Sequence, residues 1–284
     1  MPEQKWVTTS AGVKMPGIIY GTAWKKERTA DLVLKAIQTG FRGIDTAGQP
    51  KHYNEALVGA ALEKLRDQGI GRDDLFLQTK FTPISGQDPE NLPYNPDSPI
   101  ELQVAQSFES SLKNLRTGYV DSLVLHSPVA PYSLTLKAWG AMEKIHRTGA
   151  ARQLGISNCY DPAFLRTLYA DVSVKPAVVQ NRFYRQSGYD AGLRDWCSGH
   201  GILYQSFWTL TANPHILGSP TVKAIARQHD KTGAQIFFRY LSQSGIVPLT
   251  GTCSEQHMRE DLQIFCFELS AGDIDQIGGL LLQR

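Results

Sequence analysis

The chain has 284 residues, of which 42% are hydrophobic and 20% are charged, and its formal net charge is +2. This composition allows a sizeable buried core and excludes disorder that arises from low hydrophobicity and high charge. The balance of 29 basic and 27 acidic residues gives no electrostatic footprint for nucleic acid or an anionic membrane. The one basic cluster, residues 25–28, contains Glu27 and is interpreted as a solvated turn.

No apolar run reaches the roughly 20 residues that a membrane span needs, and the first ten residues lack the apolar core of a secretion signal. The cysteines, at 159, 197, 253 and 266, have spacings that suit neither a zinc site nor a disulfide framework. We therefore expect a cytoplasmic protein without a metal site, in a reducing compartment.

The chain opens with WVTTSAGVKMPG, residues 6–17, which is typical of a two-strand hairpin. Eight short apolar segments that are typical of buried strands follow, at 17–23, 42–47, 75–80, 120–126, 151–157, 176–182, 201–207 and 245–251. Amphipathic stretches at helical spacing separate them. This order predicts an α/β fold, one (β/α)8 TIM barrel over residues 1–284 with the hairpin capping its bottom. A doubly wound sheet is the alternative, but no Gly-rich dinucleotide or P-loop motif is present.

Two longer segments interrupt the regular alternation. Residues 83–99 are rich in Pro, Asn, Asp and Gly, and residues 209–220 follow the seventh predicted strand. Both come after strands, so we expect them at the carboxyl ends of the barrel strands, where barrel active sites lie.

Four titratable residues lie at or after the ends of consecutive predicted strands: Asp45, Tyr53, Lys80 and His126. Each has an ordinary explanation taken singly, such as a turn cap for Asp45, a snorkelling stem for Lys80, or core packing. Because the carboxyl ends of parallel barrel strands converge on one mouth, we expect all four side chains in one place. The combination predicts an active site.

The chemistry of this set is specific. A buried Lys80 needs a counter-charge, which Asp45 can supply. A cation beside Tyr53 is expected to lower the phenol pKa from about 10. Tyr53 would then give its proton to a carbonyl oxygen on which negative charge develops, while His126 hydrogen-bonds the same oxygen. No side chain supplies a hydride, so this chemistry implies a nicotinamide cofactor.

The motifs around these residues resemble, in order, the signatures of the aldo-keto reductase superfamily. They are the opening segment 7–24, FRGIDTA, HYNEALVGAAL, LFLQTK, YVDSLVLHSP, GISN, PAVVQN and FELSAGDID. The resemblance implies a barrel oxidoreductase acting on CH–OH donors, which reduces small carbonyl compounds with NAD(P)H. Asp45, Tyr53, Lys80 and His126 would have the catalytic roles given above.

The resemblance also implies the cofactor contacts. Ser157, Asn158 and Gln180 would hydrogen-bond the nicotinamide carboxamide, and Phe207 would stack on the ring. Further predicted dinucleotide contacts are Gly21, Thr22, Asp45, Leu210, Thr250, Thr252, His257, Glu260 and Asp261. The predicted substrate contacts are Trp24, His126 and Trp208.

The chain departs from the family pattern in the loop that carries the tyrosine. The family usually places its Tyr five residues after the Asp, where this chain has Pro50. Tyr53 lies eight residues after Asp45, so we interpret GQPKHYNE as an extended loop that folds Tyr53 back into the acid's place. An extended loop of this kind resembles the loop between the Asp and the Tyr in a fungal or plant-like subgroup of the superfamily. His52 is the alternative proton donor.

A second departure concerns the 2′-phosphate of the cofactor. The family clamps it with a Lys-Ser pair after strand eight and an Arg a few residues on, where this chain has residues 248–252 and His257. Hydroxyl groups, the amides that open the next helix, and His257 or Arg259 remain to hold a phosphate. The resemblance implies NADP(H), with NAD(H) as the alternative and weaker discrimination between them. Family habit also implies a monomer.

The chain ends at Arg284, soon after a predicted final helix over 273–282, so its C-terminus is short. Family members that have a long C-terminal loop close the substrate pocket with it. We therefore expect an open pocket, walled by Trp24, Trp208 and residues 83–99, that admits bulky carbonyl compounds.

Two other functions fit the same residues. A nicotinamide-binding regulatory subunit with little turnover would keep the barrel and the cofactor contacts, with residues 83–99 as its docking surface. An aldolase would use Lys80 to form a Schiff base, although the adjacent Asp45 argues against a neutral amine.

Overall fold

The computed structural model describes residues 5–282. The strands of this part of the chain are β1 (Trp6–Thr8), β2 (Lys14–Pro16), β3 (Ile19–Gly21), β4 (Gly43–Asp45), β5 (Phe76–Phe81), β6 (Ser122–Leu125), β7 (Leu154–Ser157), β8 (Val178–Arg182), β9 (Leu203–Phe207) and β10 (Ile246–Thr250). The α-helices are α1 (Thr29–Thr39), α2 (Glu55–Asp67), α3 (Ile100–Leu115), α4 (Tyr132–Arg147), α5 (Pro162–Asp171), α6 (Ala191–Gly199), α7 (Pro214–Leu217), α8 (Pro220–His229), α9 (Gly233–Gln243), α10 (Glu255–Leu262) and α11 (Ala271–Leu282).

Strands β3 to β10 form a closed parallel barrel in sequence order. The ring closes where β10 pairs with β3, with Leu249 opposite Ile19 and Thr250 opposite Tyr20. Each predicted apolar segment overlaps one barrel strand, so the predicted (β/α)8 barrel is confirmed. The strands are short apolar runs because helices cover the outside of a parallel barrel and side chains fill its inside, so both faces are buried.

The N-terminal hairpin closes the bottom of the barrel, as predicted. Strands β1 and β2 pair antiparallel, with Val7 opposite Met15. Met15 is fully buried and packs in one cluster with Phe76, Val124 and Val178. These apolar side chains fill the lower barrel, so the polar side chains of the strands are left for the middle and upper layers.

Local signals in the sequence set several helix boundaries and contacts. Asp161 caps α5 by accepting a hydrogen bond from Ala163 N at 2.8 Å, and Pro162 occupies the first turn. Gly59 lies where α2 approaches α3 so closely that a Cβ would overlap the carbonyl oxygen of Asn114. This close approach brings α2 and α3 together around the strands that carry the site.

Residues 83–99 leave the end of β5, on the predicted side of the barrel, and pack behind the loop between β4 and α2. The Gln87 amide donates to the carbonyl of Gly48 at 2.8 Å, and the Tyr94 hydroxyl donates to the carbonyl of Thr82 at 2.9 Å. The segment therefore supports a neighbouring loop. None of the helices within 5–282 combines the length and apolar character of a membrane span.

Candidate active site

A cavity of about 760 Å³ opens at the carboxyl ends of the barrel strands. Its size falls within the range of small-molecule sites. Residues from most of the barrel strands and their following loops line it. They are Gly21, Ala23, Trp24, Lys25, Asp45, Gln49, His52, Tyr53, His126, Asn158, Gln180, Arg182, Phe207, Trp208, Thr209, Leu210, Thr211, Thr232, Ala234, Phe238, Leu249, Thr250, Gly251, Thr252, His257, Glu260 and Asp261.

A buried ion pair joins two neighbouring strands at the floor of this cavity. Lys80 Nζ donates to Asp45 Oδ2 at 2.6 Å and to the carbonyl of Thr46 at 2.8 Å. Lys80 is fully buried and Asp45 nearly so. Burial alone would lower the Lys80 pKa, but the Asp45 carboxylate and the Tyr53 oxygen oppose it, and the pKa is raised above its ordinary value. Lys80 is therefore an ammonium at neutral pH.

Tyr53 is the third member of this group. Tyr53 lies beside Lys80, whose Nζ is 5.1 Å from the centre of the Tyr53 ring. Burial raises the Tyr53 pKa more than the Lys80 ammonium lowers it, so the net shift is upward. The expected lowering of this pKa is wrong, because the loss of solvent outweighs the attraction of one cation that already belongs to Asp45. Tyr53 therefore keeps its proton at neutral pH.

His126 is a neutral imidazole beside Tyr53. Burial, with the Lys80 charge as the next cause, lowers the His126 pKa well below its ordinary value. The His126 Nδ1 atom lies 2.6 Å from Thr82 Oγ1. When the Thr82 hydroxyl is assigned as the donor, the imidazole proton sits on Nε2 and is free to donate into the cavity. The His126 and Tyr53 rings meet edge to face at 6.1 Å.

The four predicted catalytic residues are thus brought together, and His52 takes another position. The His52 ring lies against the Trp24 ring, with centroids 3.8 Å apart, and its Nδ1 lies 2.8 Å from Gln49 Oε1. Within the described residues, Tyr53 rather than His52 lies beside the Lys80 ammonium. The geometry favours Tyr53 over His52 as the proton donor, and that role stays a prediction.

A layer of three buried glutamines lies under the ion pair. The amides of Gln78 and Gln180 both donate to Asp45 Oδ1, at 2.7 and 3.0 Å. Both also donate to Gln205 Oε1, at 2.8 and 2.9 Å. The layer fixes the Asp45 carboxylate by two hydrogen bonds on the oxygen that Lys80 leaves free. Gln78 and Gln205 are not among the predicted site residues, although a polar Gln inside the apolar segments LFLQTK and GILYQSF is a signal of a buried hydrogen-bond partner.

The predicted cofactor residues divide into two groups. All but two of the predicted cofactor contacts line the cavity, Asn158, Gln180, Phe207 and Leu210 among them. The hydroxyl of Ser157 donates to the carbonyl of Gln180 at 2.6 Å, and the hydroxyl of Thr22 donates to the carbonyl of Asp45 at 2.9 Å. These two hydroxyls are buried and bonded to backbone, and a direct contact with cofactor stays a prediction for them.

Lys25 lies at the far end of the cavity, a position that the sequence did not predict for it. Lys25 was interpreted as part of a solvated turn, and this is wrong, because its side chain is buried in the cavity wall. Its Nζ hydrogen-bonds the carbonyl of Gly251 and lies 3.6 Å from Cys253 Sγ. Residues 26–28 of the same turn are exposed, as expected. A loop after β3 therefore delivers a cation to the end of β10.

Asp261 carries a strongly shifted carboxyl group at this end. Burial raises the Asp261 pKa to about 7, against the lowering effect of the Thr250 hydroxyl, which donates to Asp261 Oδ2 at 2.7 Å. A carboxyl whose pKa is raised by folding stabilises the fold at low pH and loses that contribution as the pH rises toward the folded value.

We expect Asp261→Asn to flatten the dependence of stability on pH. Wild type should lose about 2 kcal/mol of unfolding free energy from this group between about pH 5.5 and pH 7.5, at 1.36 kcal/mol per pKa unit. Asn keeps an acceptor for the Thr250 hydroxyl and does not titrate. Urea unfolding of both proteins at the two pH values measures the difference, and parallel slopes would contradict the assignment.

Two tryptophans stand at the mouth of the cavity. Trp24 and Trp208 are 57% and 47% exposed, and both have left-handed backbone conformations, with φ of 63° and 57°. A bulky residue rarely adopts this conformation, because it costs free energy. The surrounding structure therefore holds both tryptophans in place. The expectation that residues 83–99 also wall the cavity is wrong, because the described lining contains none of them.

The residues present fit a nicotinamide dinucleotide with a small carbonyl compound. Amide side chains and the Phe207 ring lie at the end near Tyr53 and can bind a carboxamide and a flat ring. Hydroxyls and the Lys25 ammonium lie at the far end and can bind phosphate. Glu260 and Asp261 add acceptors for an amino group.

Comparison with known proteins agrees with the motifs. Residues 11–281 match the model of the Aldo/keto reductase family. Glyoxal reductase of Bacillus subtilis is 33% identical over 273 residues, 95% of this chain and 90% of that protein. Morphine 6-dehydrogenase of Pseudomonas putida is 29% identical over 290 aligned residues, 96% of this chain and 90% of that protein. The crystal structure of an aldo/keto reductase from Brucella melitensis superposes with a TM-score of 0.84 at 30% identity, covering 98% of this chain and 100% of that one.

Proposed function

Because the chain belongs to the aldo/keto reductase family, we propose that it reduces aldehydes and ketones to alcohols with NADPH. One observation carries the proposal: the buried Asp45–Lys80 pair, the Tyr53 hydroxyl and the neutral His126 meet in one cavity. Tyr53 is the general acid and His126 orients the carbonyl oxygen. Lys80 stabilises the charge that the reaction leaves on the phenol, and Asp45 holds Lys80 in place.

The reaction divides its tasks among these groups. When bound, the reduced nicotinamide supplies the hydride that the carbonyl carbon accepts. Tyr53 gives its proton to the carbonyl oxygen as negative charge grows there. The Lys80 ammonium then stabilises the phenolate that remains, and Asp45 keeps that ammonium in place. A neutral His126 donates a hydrogen bond to the same oxygen without competing for the proton.

The upward shift of the Tyr53 pKa suits an acid in the resting protein. Its direction means that the phenol is protonated at neutral pH and needs no preceding proton uptake. The same burial that raises the pKa strengthens the attraction between the Lys80 cation and an anion formed beside it. The burial that opposes proton loss in the free protein is therefore offset by the attraction between the Lys80 ammonium and the phenolate that forms when Tyr53 gives up its proton.

A turnover assay tests the proposed function directly. We expect oxidation of NADPH in the presence of 4-nitrobenzaldehyde, followed by the loss of absorbance of the reduced cofactor. Tight binding of NADPH without turnover would instead indicate a regulatory subunit. Borohydride trapping of a carbonyl compound on Lys80 would indicate aldolase chemistry, which the buried Asp45–Lys80 pair opposes.

The preferred cofactor is NADP(H), with NAD(H) as the alternative. The stretch after β10 lacks the family's two clamp cations, and the Lys25 ammonium comes to the same place from the loop after β3. We expect the ratio of kcat/KM with NADPH to that with NADH to stay below about 1000, because that ratio requires about 4 kcal/mol of discrimination. A larger ratio would contradict the interpretation of this region.

Lys25 is expected to supply the missing phosphate contact. Lys25→Met should raise the Kd of NADPH by about 10- to 100-fold, the loss expected for one hydrogen bond to a charged group. Equilibrium titration of cofactor fluorescence measures this value. Lys26→Met is the matched control, because the neighbouring side chain is exposed. An unchanged Kd in Lys25→Met would contradict the assignment.

A further inference from the structure

Arg182 is a cation in the active-site cavity that the mechanism above does not use. It is the last residue of β8, and its side chain lines the cavity between the loops that follow β7 and β9. Its guanidinium carbon lies 4.2 Å from the centre of the Trp208 ring and 5.5 Å from that of Tyr184. A planar guanidinium against aromatic faces is held in one orientation, with its edges free for hydrogen bonds.

This guanidinium has no anionic partner within residues 5–282. No described carboxylate lies within ion-pair distance of it, and its buried Nε has no hydrogen-bond partner there. Arg72 differs from Arg182 in its partners. Its Nε is also without a partner, but its terminal nitrogens donate hydrogen bonds to Asp121 and to two carbonyl groups. The guanidinium therefore has no described counter-ion, and because Arg182 lines the cavity, an anionic group that enters the cavity can pair with it.

The position of Trp208 indicates that the fold holds the Arg182 guanidinium in one place. Trp208 keeps its ring over the guanidinium in a left-handed backbone conformation, which a bulky residue adopts at a cost. Arg182 itself is tied to the loop after β7, because its backbone N–H donates to the Tyr160 hydroxyl at 3.2 Å. The cation is thus fixed from both sides within the cavity that contains Tyr53 and His126.

We propose that Arg182 determines substrate specificity by binding an anionic group on the carbonyl substrate, so that the preferred substrates carry a carboxylate at the end away from the carbonyl. A carboxylate matches the fork of a guanidinium with two parallel hydrogen bonds. The inference rests on the proposed reductase function and adds the substrate class to it. A phosphate of the cofactor offers the same anionic chemistry, and the test separates the two sources.

The test compares two aldehydes of similar shape, 4-carboxybenzaldehyde and its methyl ester, at saturating NADPH. Wild type should show a kcat/KM about 10- to 100-fold higher for the carboxylate, mainly through KM. In Arg182→Met, whose stem still packs on Trp208, this preference should disappear. Arg182→Lys keeps the charge without the planar fork and should restore part of it. Arg166→Met is the control, an exposed arginine beside Trp196 outside the cavity lining.

A binding measurement keeps the inference independent of turnover. Calorimetric titration with terephthalate should give a Kd about 10- to 100-fold weaker in Arg182→Met than in wild type, with the Kd of NADPH unchanged. Equal kcat/KM for the two aldehydes in wild type, or a preference that survives Arg182→Met, would overturn the proposal. So would a weaker NADPH Kd with the preference intact, since the cofactor would then be the anion bound. If neither aldehyde is reduced, the reductase function fails, and terephthalate binding still decides the role of Arg182.

Discussion

Tyr53→Phe is expected to lower kcat for aldehyde reduction by about 10²- to 10⁴-fold, the usual contribution of a general acid. The Kd of NADPH should stay within about threefold of wild type, because Phe keeps the ring and removes only the proton donor. Steady-state reduction of 4-nitrobenzaldehyde at saturating substrate and NADPH measures kcat, and fluorescence titration measures the Kd. The effect is large because Tyr53 is the proposed source of the proton for the carbonyl oxygen, and Phe has no proton to give.

Tyr132→Phe is the matched control, since Tyr132 bonds Asp171 at 2.9 Å in an exposed contact on α4. This variant should keep wild-type kcat. His52→Phe tests the alternative donor and should leave most of the activity. If Tyr53→Phe retains activity while His52→Phe loses it, the assignment of the acid is wrong.

Lys80→Met is expected to damage both catalysis and stability. We expect a loss in kcat of about 10²- to 10⁴-fold, because the phenolate of Tyr53 would form without a cation beside it. The variant should also lose about 3–5 kcal/mol of unfolding free energy, because Asp45 remains as a buried charge without its partner. Kinetics and urea unfolding on the same preparation measure the two losses.

A double variant separates these two effects. Asp45→Asn together with Lys80→Met removes both charges, and the Asn side chain still accepts from Gln78 and Gln180. We expect this protein to recover most of the lost stability and none of the lost kcat. Recovery of kcat together with stability would contradict a catalytic role for Lys80. Lys35→Met, on the exposed pair with Glu255, serves as the control and should change neither quantity by much.

The sequence by itself determined the barrel and the meeting of its four polar residues. Strand segments buried on both faces repeat eight times with helices between them, and parallel strands in that order close into one ring. Once the ring is fixed, the ends of consecutive strands converge, so Asp45, Lys80 and His126 had to share one mouth. The type of residue that precedes Asn54 and Glu55 was enough to favour Tyr53 over His52.

Only the tertiary structure decided the energetics and the outer shell of the site. Whether the Tyr53 pKa rises or falls depends on the balance between burial and a cation shared with Asp45, and no motif contains that balance. Lys25 reaches the cavity from the loop after β3 and Arg182 from the end of β8, and in the sequence neither basic residue differs from a solvated one. Their roles follow from what each charge faces in space, because electrostatic and solvation free energies depend on distance and burial rather than on position in the chain.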